Sequence, residues 1–170
     1  MTTQRTEPAR NADERTMLEG WLDYHRATLA LKCEGLTDEQ LRTVAVAPSE
    51  LSLMGLVRHM AEVERSWFRR VFAGEDAGPI YYGEADPDGE FHPGEADTWK
   101  DAYETWQAEI AASRRSAAGH SLDELSRSRH HSHSEPCSLR WIHTHMIEEY
   151  ARHNGHADLI REAIDGATGE

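Results

Sequence analysis

His145, Glu149 and His153 stand four residues apart in the segment WIHTHMIEEYARHNGHADLIRE, residues 141–162. Around them Ile142, Met146, Tyr150, Ala157, Ile160 and Ile164 recur at steps of three, four and seven. That spacing predicts a helix whose apolar stripe also carries the three polar side chains. A carboxylate and two imidazoles facing a core are costly unless something pairs with them. A metal ion would satisfy all three. Side chains at i and i+4 of a helix lie one above the other, roughly 5–6 Å apart at Cβ, so Glu149 and His153 can hold one ion from the same side. The same spacing relates His145 to Glu149, and His156 lies about one turn beyond, so spacing alone leaves the choice of pair open.

A further ligand must come from a neighbouring helix. Ser49 or Ser52 can cap one that runs to about Phe72, with Leu53, Leu56, Met60, Val63, Trp67 and Val71 facing inward. His59 sits in the middle of that stripe and is the natural candidate. His59, Glu149 and His153 would supply three protein ligands and leave a fourth position open, as catalytic zinc requires, whereas structural zinc is closed by four ligands, mostly thiolates. Cys33 and Cys137 lie far apart and form no CxxC pair, so neither a disulfide framework nor a thiolate zinc site is expected. Zinc is the default divalent metal, and these donor types leave nickel, iron and manganese open. Gly155 is read as a point of close approach by a neighbour or ligand, because glycine inside a helix costs about 1 kcal/mol against alanine.

The elements that must position these residues follow from the rest of the chain. Residues 1–10 read as a disordered, charged arm and 11–166 as a single domain. A first helix is expected from Asn11 or Asp13 to about Cys33, with Gly35 past its end and a half-buried, hydrogen-bonded His25. Thr37 and Gln40 have the spacing of a capping box on a short turn of helix. Gly74 to Pro93, with Tyr81 and Tyr82, reads as a long crossover, and loops of such length are often functional. A third long helix is expected over Glu95–Ala118 and a short turn over Ser121–Leu125. The segment 126–138, with His130, His131 and His133, reads as a solvated polar loop. No strand alternation or internal repeat is present, so the fold expected is an all-α four-helix bundle with long crossover loops and short extra helical turns.

A net charge of −13 and a pI near 5.2 oppose sequence-independent binding to nucleic acid or an anionic membrane surface. No apolar run approaches the roughly 18–20 residues of a membrane span. The polar N-terminal stretch lacks the apolar centre of a signal peptide, so a cytoplasmic location is expected.

The segments LSLMGLVRHMAEVERSWF (51–68) and HMIEEYARHNGHADLIRE (145–162) resemble the DinB-like metalloenzyme superfamily, in its small actinobacterial mini-circle protein branch. That superfamily includes the bacillithiol S-transferases and the N-terminal domain of mycothiol-dependent maleylpyruvate isomerase, and the resemblance spans residues 12 to 165. It implies a four-helix bundle of DinB-like type, with His59, Glu149 and His153 as ligands. Many members carry three histidines, and the middle Glu149 here is closer to the isomerase. The resemblance places His145 and His156 in the substrate pocket or behind the ligands. Arg129, Arg140 and Arg152 come into consideration as partners for a polar thiol, with Arg152 nearest the ligand pair in sequence. The implied chemistry is activation of a mycothiol-like thiol as thiolate for attack on an electrophilic co-substrate. The alternatives are a metal-dependent hydrolase or lyase, and a non-catalytic metal-stabilised module that binds a small molecule or partner. The isomerase's C-terminal domain has no counterpart in the resemblance, so isomerisation is not part of the expectation. A homodimer is expected by analogy, with Trp21, Trp67 or the Tyr81–Tyr82 pair at its interface.

Overall fold

The computed structural model describes residues 4–130 and 134–169, so His131 and His133 lie outside the described residues. Short polar side chains open each of the five α-helices by accepting an otherwise orphaned amide. Asp13 caps α1 (Glu14–Cys33), and Thr37 and Gln40 form the expected capping box on α2 (Asp38–Arg42). Ser52 caps α3 (Leu53–Glu64), Thr98 caps α4 (Trp99–Ala117) and Ser138 caps α5 (Leu139–Asp165). Each such cap contributes about 1 kcal/mol. Gly166, at φ +77°, supplies the left-handed residue that ends α5.

α3 runs without a break into a π-helix, Arg65–Phe72. Its wider turn buries Trp67, Phe68, Val71 and Phe72 together, and such segments occur often at functional sites. α1 packs chiefly along α5 and α3 along α4, while α3 also meets α5. One apolar core joins them, with Leu29, Leu56, Met60, Trp106, Ile142 and Met146 among its fully buried members. The described residues contain no strand, only two isolated β-bridges. The chain is all-α.

One buried residue ties the four long elements together. The Glu64 side chain, fully buried, accepts from Arg26 Nε at 2.8 Å, Arg26 Nη2 at 2.9 Å and the Tyr150 hydroxyl at 2.8 Å. Trp106 Nε1 donates to the same hydroxyl at 2.8 Å. Burial, with Glu64 beside it, pushes the Tyr150 hydroxyl well above its usual range, so it remains a donor. Arg26, Glu64, Trp106 and Tyr150 come from α1, α3, α4 and α5.

Several details differ from the sequence reading. Residues 121–125 form a turn and a bridge, not a helical turn, because Leu125 pairs with Ser138 and the Leu139 and Arg140 amides bond back to Glu124 and Leu122. Gly155 is exposed, and a Cβ built on it would meet nothing within 4 Å, so no close approach explains it. Trp67 is 5% exposed and faces inward rather than toward a partner subunit, whereas Trp21, Tyr81 and Tyr82 are partly exposed. His25 is half-buried, with Asn154 Nδ2 donating to its carbonyl at 3.0 Å. Of the N-terminal arm, Arg5 lies over the Tyr24 ring and Pro8 lies against Gly20 of α1.

Replacing Glu64 by Ala leaves the buried Arg26 with the half-exposed Asp23, 2.8 Å from its Nη1, as its remaining carboxylate. A loss of about 3–5 kcal/mol is expected, measurable by urea unfolding of the metal-free protein. His143 offers a second test. It is buried, packs edge-on to Phe68, and its Nδ1 donates to the Leu139 carbonyl at 3.0 Å. Burial lowers its pKa from the ordinary 6.5. As pH falls through 6.5 the unfolded chain therefore gains a proton that the folded one refuses, and stability falls. His143→Leu is expected to lose less stability than the wild type between about pH 7 and pH 5, read from urea midpoints at each pH.

Candidate metal centre

Where α3 faces α5, His59, Glu149 and His153 each offer a donor atom, and all three atoms lie within 4.8 Å of one another. The His59 and His153 rings are 4.7 Å apart between centroids, at 62°. His153 Nε2 is 3.5 Å from Glu149 Oε2, and its Nδ1 is 3.4 Å from His156 Nδ1. Glu149 and His153 share a face of α5 because they are one turn apart. His59 reaches them because it lies on the inward side of α3.

The protonation states suit a cation. Burial, reinforced by His153, pushes His59 down to about 4, so its imidazole is neutral at pH 7 and keeps a lone pair. The hydrogen-bonding imidazole of His153 holds the Glu149 carboxyl below its usual range despite partial burial. Neutral imidazole and ionised carboxylate are the forms that ligate metals. A second group, His145, Glu148 and Glu149, also meets the distance condition, but it belongs to one helix and its Glu148 is exposed and paired with Arg152. Among the described residues only the first group draws donors from two helices.

A cavity of about 480 Å³ opens beside these donors and is lined by both His59 and Glu149. One wall is aromatic. Trp67 stacks on His130 at 4.6 Å and 16° and meets His145 edge-on at 4.6 Å. The His145 ring stacks in turn on Trp141, and its Nε2 lies 3.5 Å from Glu149 Oε1.

The other wall is polar and comes from the 74–93 crossover, which side chains of α3 and the π-helix hold in place. Glu62 Oε1 accepts from the Ile80 amide at 2.5 Å and the Tyr81 amide at 2.8 Å. Arg65 donates to the Gly78 carbonyl, and Arg70 to the Ala77 carbonyl and to the Tyr82 hydroxyl at 2.8 Å. Arg58 donates to the Gly89 carbonyl at 2.9 Å and lies over the Tyr81 ring at 4.3 Å. The 3-10 turn Gly89–Phe91 settles directly on α3 at Gly55, where a Cβ would come within 3.2 Å of the Phe91 backbone. Glu90 thereby enters the cavity lining, with Oε1 3.4 Å from His59 Nδ1.

The structure thus brings His59, Glu149 and His153 together, with His145 on Glu149 and His156 behind His153. Arg152 is exposed and pairs with Glu148 rather than lining the cavity. Arg140 pairs with Glu14 and Asp123 at the surface, and Arg129 is exposed. Sequence reasoning missed Glu90, Arg70 and the stacking of His130 on Trp67. The length of the crossover and its Tyr81–Tyr82 pair pointed to that wall, but nothing set Glu90 apart from Glu84, Asp86 and Asp88. A larger cavity, about 600 Å³, lies among Arg15, Asp23, Arg26, Ser113 and His143, away from the converging donors.

Residues 17–166 match the family model of mycothiol-S-transferase. The chain belongs to the mycothiol-S-transferase family. No curated protein sequence matches it. The mycothiol-S-transferase match runs from α1 to the end of α5, so His59, Glu90, Glu149, His153 and the whole crossover fall inside it. Among the described residues of this mycothiol-S-transferase family member, no helix is long and apolar enough to cross a membrane.

Proposed function

We propose that residues 11–166 act as one metal-dependent S-transferase domain that joins a mycothiol-like thiol to an electrophilic co-substrate. The observation that carries the reading is the convergence of His59, Glu149 and His153 from two helices beside a cavity, in a chain of this family. These three residues would hold the divalent metal. Zinc suits two imidazoles, one carboxylate and an open position. Bound there, the ion supplies the positive charge that keeps a thiol in its nucleophilic thiolate form near neutral pH.

The chain's own residues do the rest. Glu149 and His153, one turn apart on α5, present their donors from a rigid element, and His59 does so from α3. His145 braces Glu149 through Oε1, and His156 backs the ring of His153. Trp67, His145 and His130 offer an aromatic wall that excludes water from an apolar or flat electrophile. Arg70 and Tyr82 face it with polar groups. Because Arg70 Nη1 already donates to the Tyr82 oxygen, the tyrosine's own proton is left for an acceptor on the thiol compound. A homodimer in solution belongs to the same reading, and light scattering tests it against the 19.3 kDa chain mass.

Elemental analysis of untagged protein is expected to find one metal ion per chain, absent from Glu149→Ala and His153→Ala although both keep their helical circular dichroism. With mycothiol and a chromogenic electrophile, product formation is expected to require both thiol and metal. Each variant is expected to fall to the turnover of the metal-free wild type. Full turnover by metal-free protein, or full metal content in both variants, would sink the reading.

A further inference from the structure

His59 has a carboxylate at Nδ1 and also offers a donor atom to the candidate centre. Phe91 stacks on its ring at 4.8 Å and 26°, and the adjacent Glu90 places Oε1 3.4 Å from its Nδ1. Glu90 is 8% exposed, and its Oε2 is buried without a hydrogen-bond partner. Among the described residues His59 is its one side-chain partner.

That pattern is unlike a loop anchor. Glu62, a few residues along α3, shows what anchoring looks like: one carboxylate oxygen accepts from two loop amides. The crossover is already fastened by Arg58, Glu62, Arg65 and Arg70, none of which needs Glu90. A neutral imidazole has one N–H and one lone pair. An acceptor at Nδ1 therefore decides that the lone pair sits on Nε2.

We propose that Glu90 is the positioning residue for His59, accepting its Nδ1–H through Oε1 and so fixing the tautomer that presents Nε2 toward Glu149 and His153. The inference rests on the ligand set proposed above. A histidine ligand that donates its other N–H to a carboxylate is held in one orientation, and removing such a carboxylate weakens metal binding about 10–100-fold.

Two readouts test it, and one needs no metal. In metal-free protein with ¹⁵N-labelled histidine, two-bond ¹H–¹⁵N spectra are expected to show His59 as the Nδ1–H tautomer, assigned by its loss in His59→Gln. In Glu90→Ala that tautomer gives way to Nε2–H or to a mixture. Zinc affinity, by competition with a chromogenic chelator, is expected to fall about 10–100-fold in Glu90→Ala. Glu90→Gln keeps an accepting oxygen and is expected to stay near wild type in both readouts. An Nε2–H tautomer in the wild type overturns the proposal. So does a Glu90→Ala affinity within about twofold of wild type, or a Glu90→Gln variant that falls as far as Glu90→Ala. Should Glu90→Ala not fold, the wild-type tautomer and Glu90→Gln decide. Should the wild type take up no zinc, the ligand set fails, and the tautomer spectra still judge Glu90 alone.

Discussion

A carboxylate with no exposed surface must be paired, and the way Glu64 is paired sets the geometry of this protein. Its partners come from α1 and α5, and Trp106 of α4 completes the set through the Tyr150 hydroxyl. A purely apolar contact would tolerate sliding or rotation of one helix on another at small cost. Three directed bonds to one buried carboxylate do not, because any shift leaves a charge or an N–H without a partner in a low-dielectric interior. The tetrad therefore contributes register more than net stability, which buried ion pairs supply poorly.

Register is what the candidate site requires. Glu64 shares α3 with His59, and Tyr150 sits next to Glu149 and one turn before His153. Holding the Tyr150 hydroxyl 2.8 Å from Glu64 thus fixes the rotation of α5 against α3. A one-residue turn of α5, about 100°, would carry Glu149 and His153 off the facing stripe while leaving much of the apolar packing satisfiable. Met60 and Met146, both fully buried, fill space between the helices but impose no such choice.

The sequence made the helices and the candidate donors legible for a common reason: both are local periodicities. Apolar residues at helical steps marked α1, α3, α4 and α5, and polar residues intruding on those steps marked His59, His145, Glu149 and His153, while the choice of His59, Glu149 and His153 among them came from the family resemblance. The serine and threonine caps were equally local, and Ser52, together with the Thr37–Gln40 box, stands where expected. What periodicity does not encode is contact between a loop and a helix. Glu90 reaches His59 because Gly55 lets a 3-10 turn lie on α3, a meeting of residues more than thirty positions apart. The bridge at Leu125 escaped for the same reason, its partner Ser138 being distant in sequence. Gly155 was misread from the opposite side: an exception to helix propensity was taken as a contact, and the structure offers none.

The site divides into parts of different rigidity. The donors stand on long helices locked by the Glu64 tetrad, where precise placement of a charge is easiest to maintain. The polar wall stands on the crossover, which carries little apolar burial of its own and is held by the guanidinium groups of Arg58, Arg65 and Arg70 and the carboxylate of Glu62. Loops so held can change in sequence at modest cost to the core, so under the function proposed above discrimination among thiols and electrophiles would fall to that wall and to the aromatic face opposite it. Glu90 and Phe91 are the exception, since their turn rests on α3 and touches His59 directly. A change that lifts this turn would alter both the cavity's shape and the imidazole's orientation. Cavity shape and imidazole orientation are therefore coupled at His59, and through it the crossover is part of the candidate site rather than a cover over it.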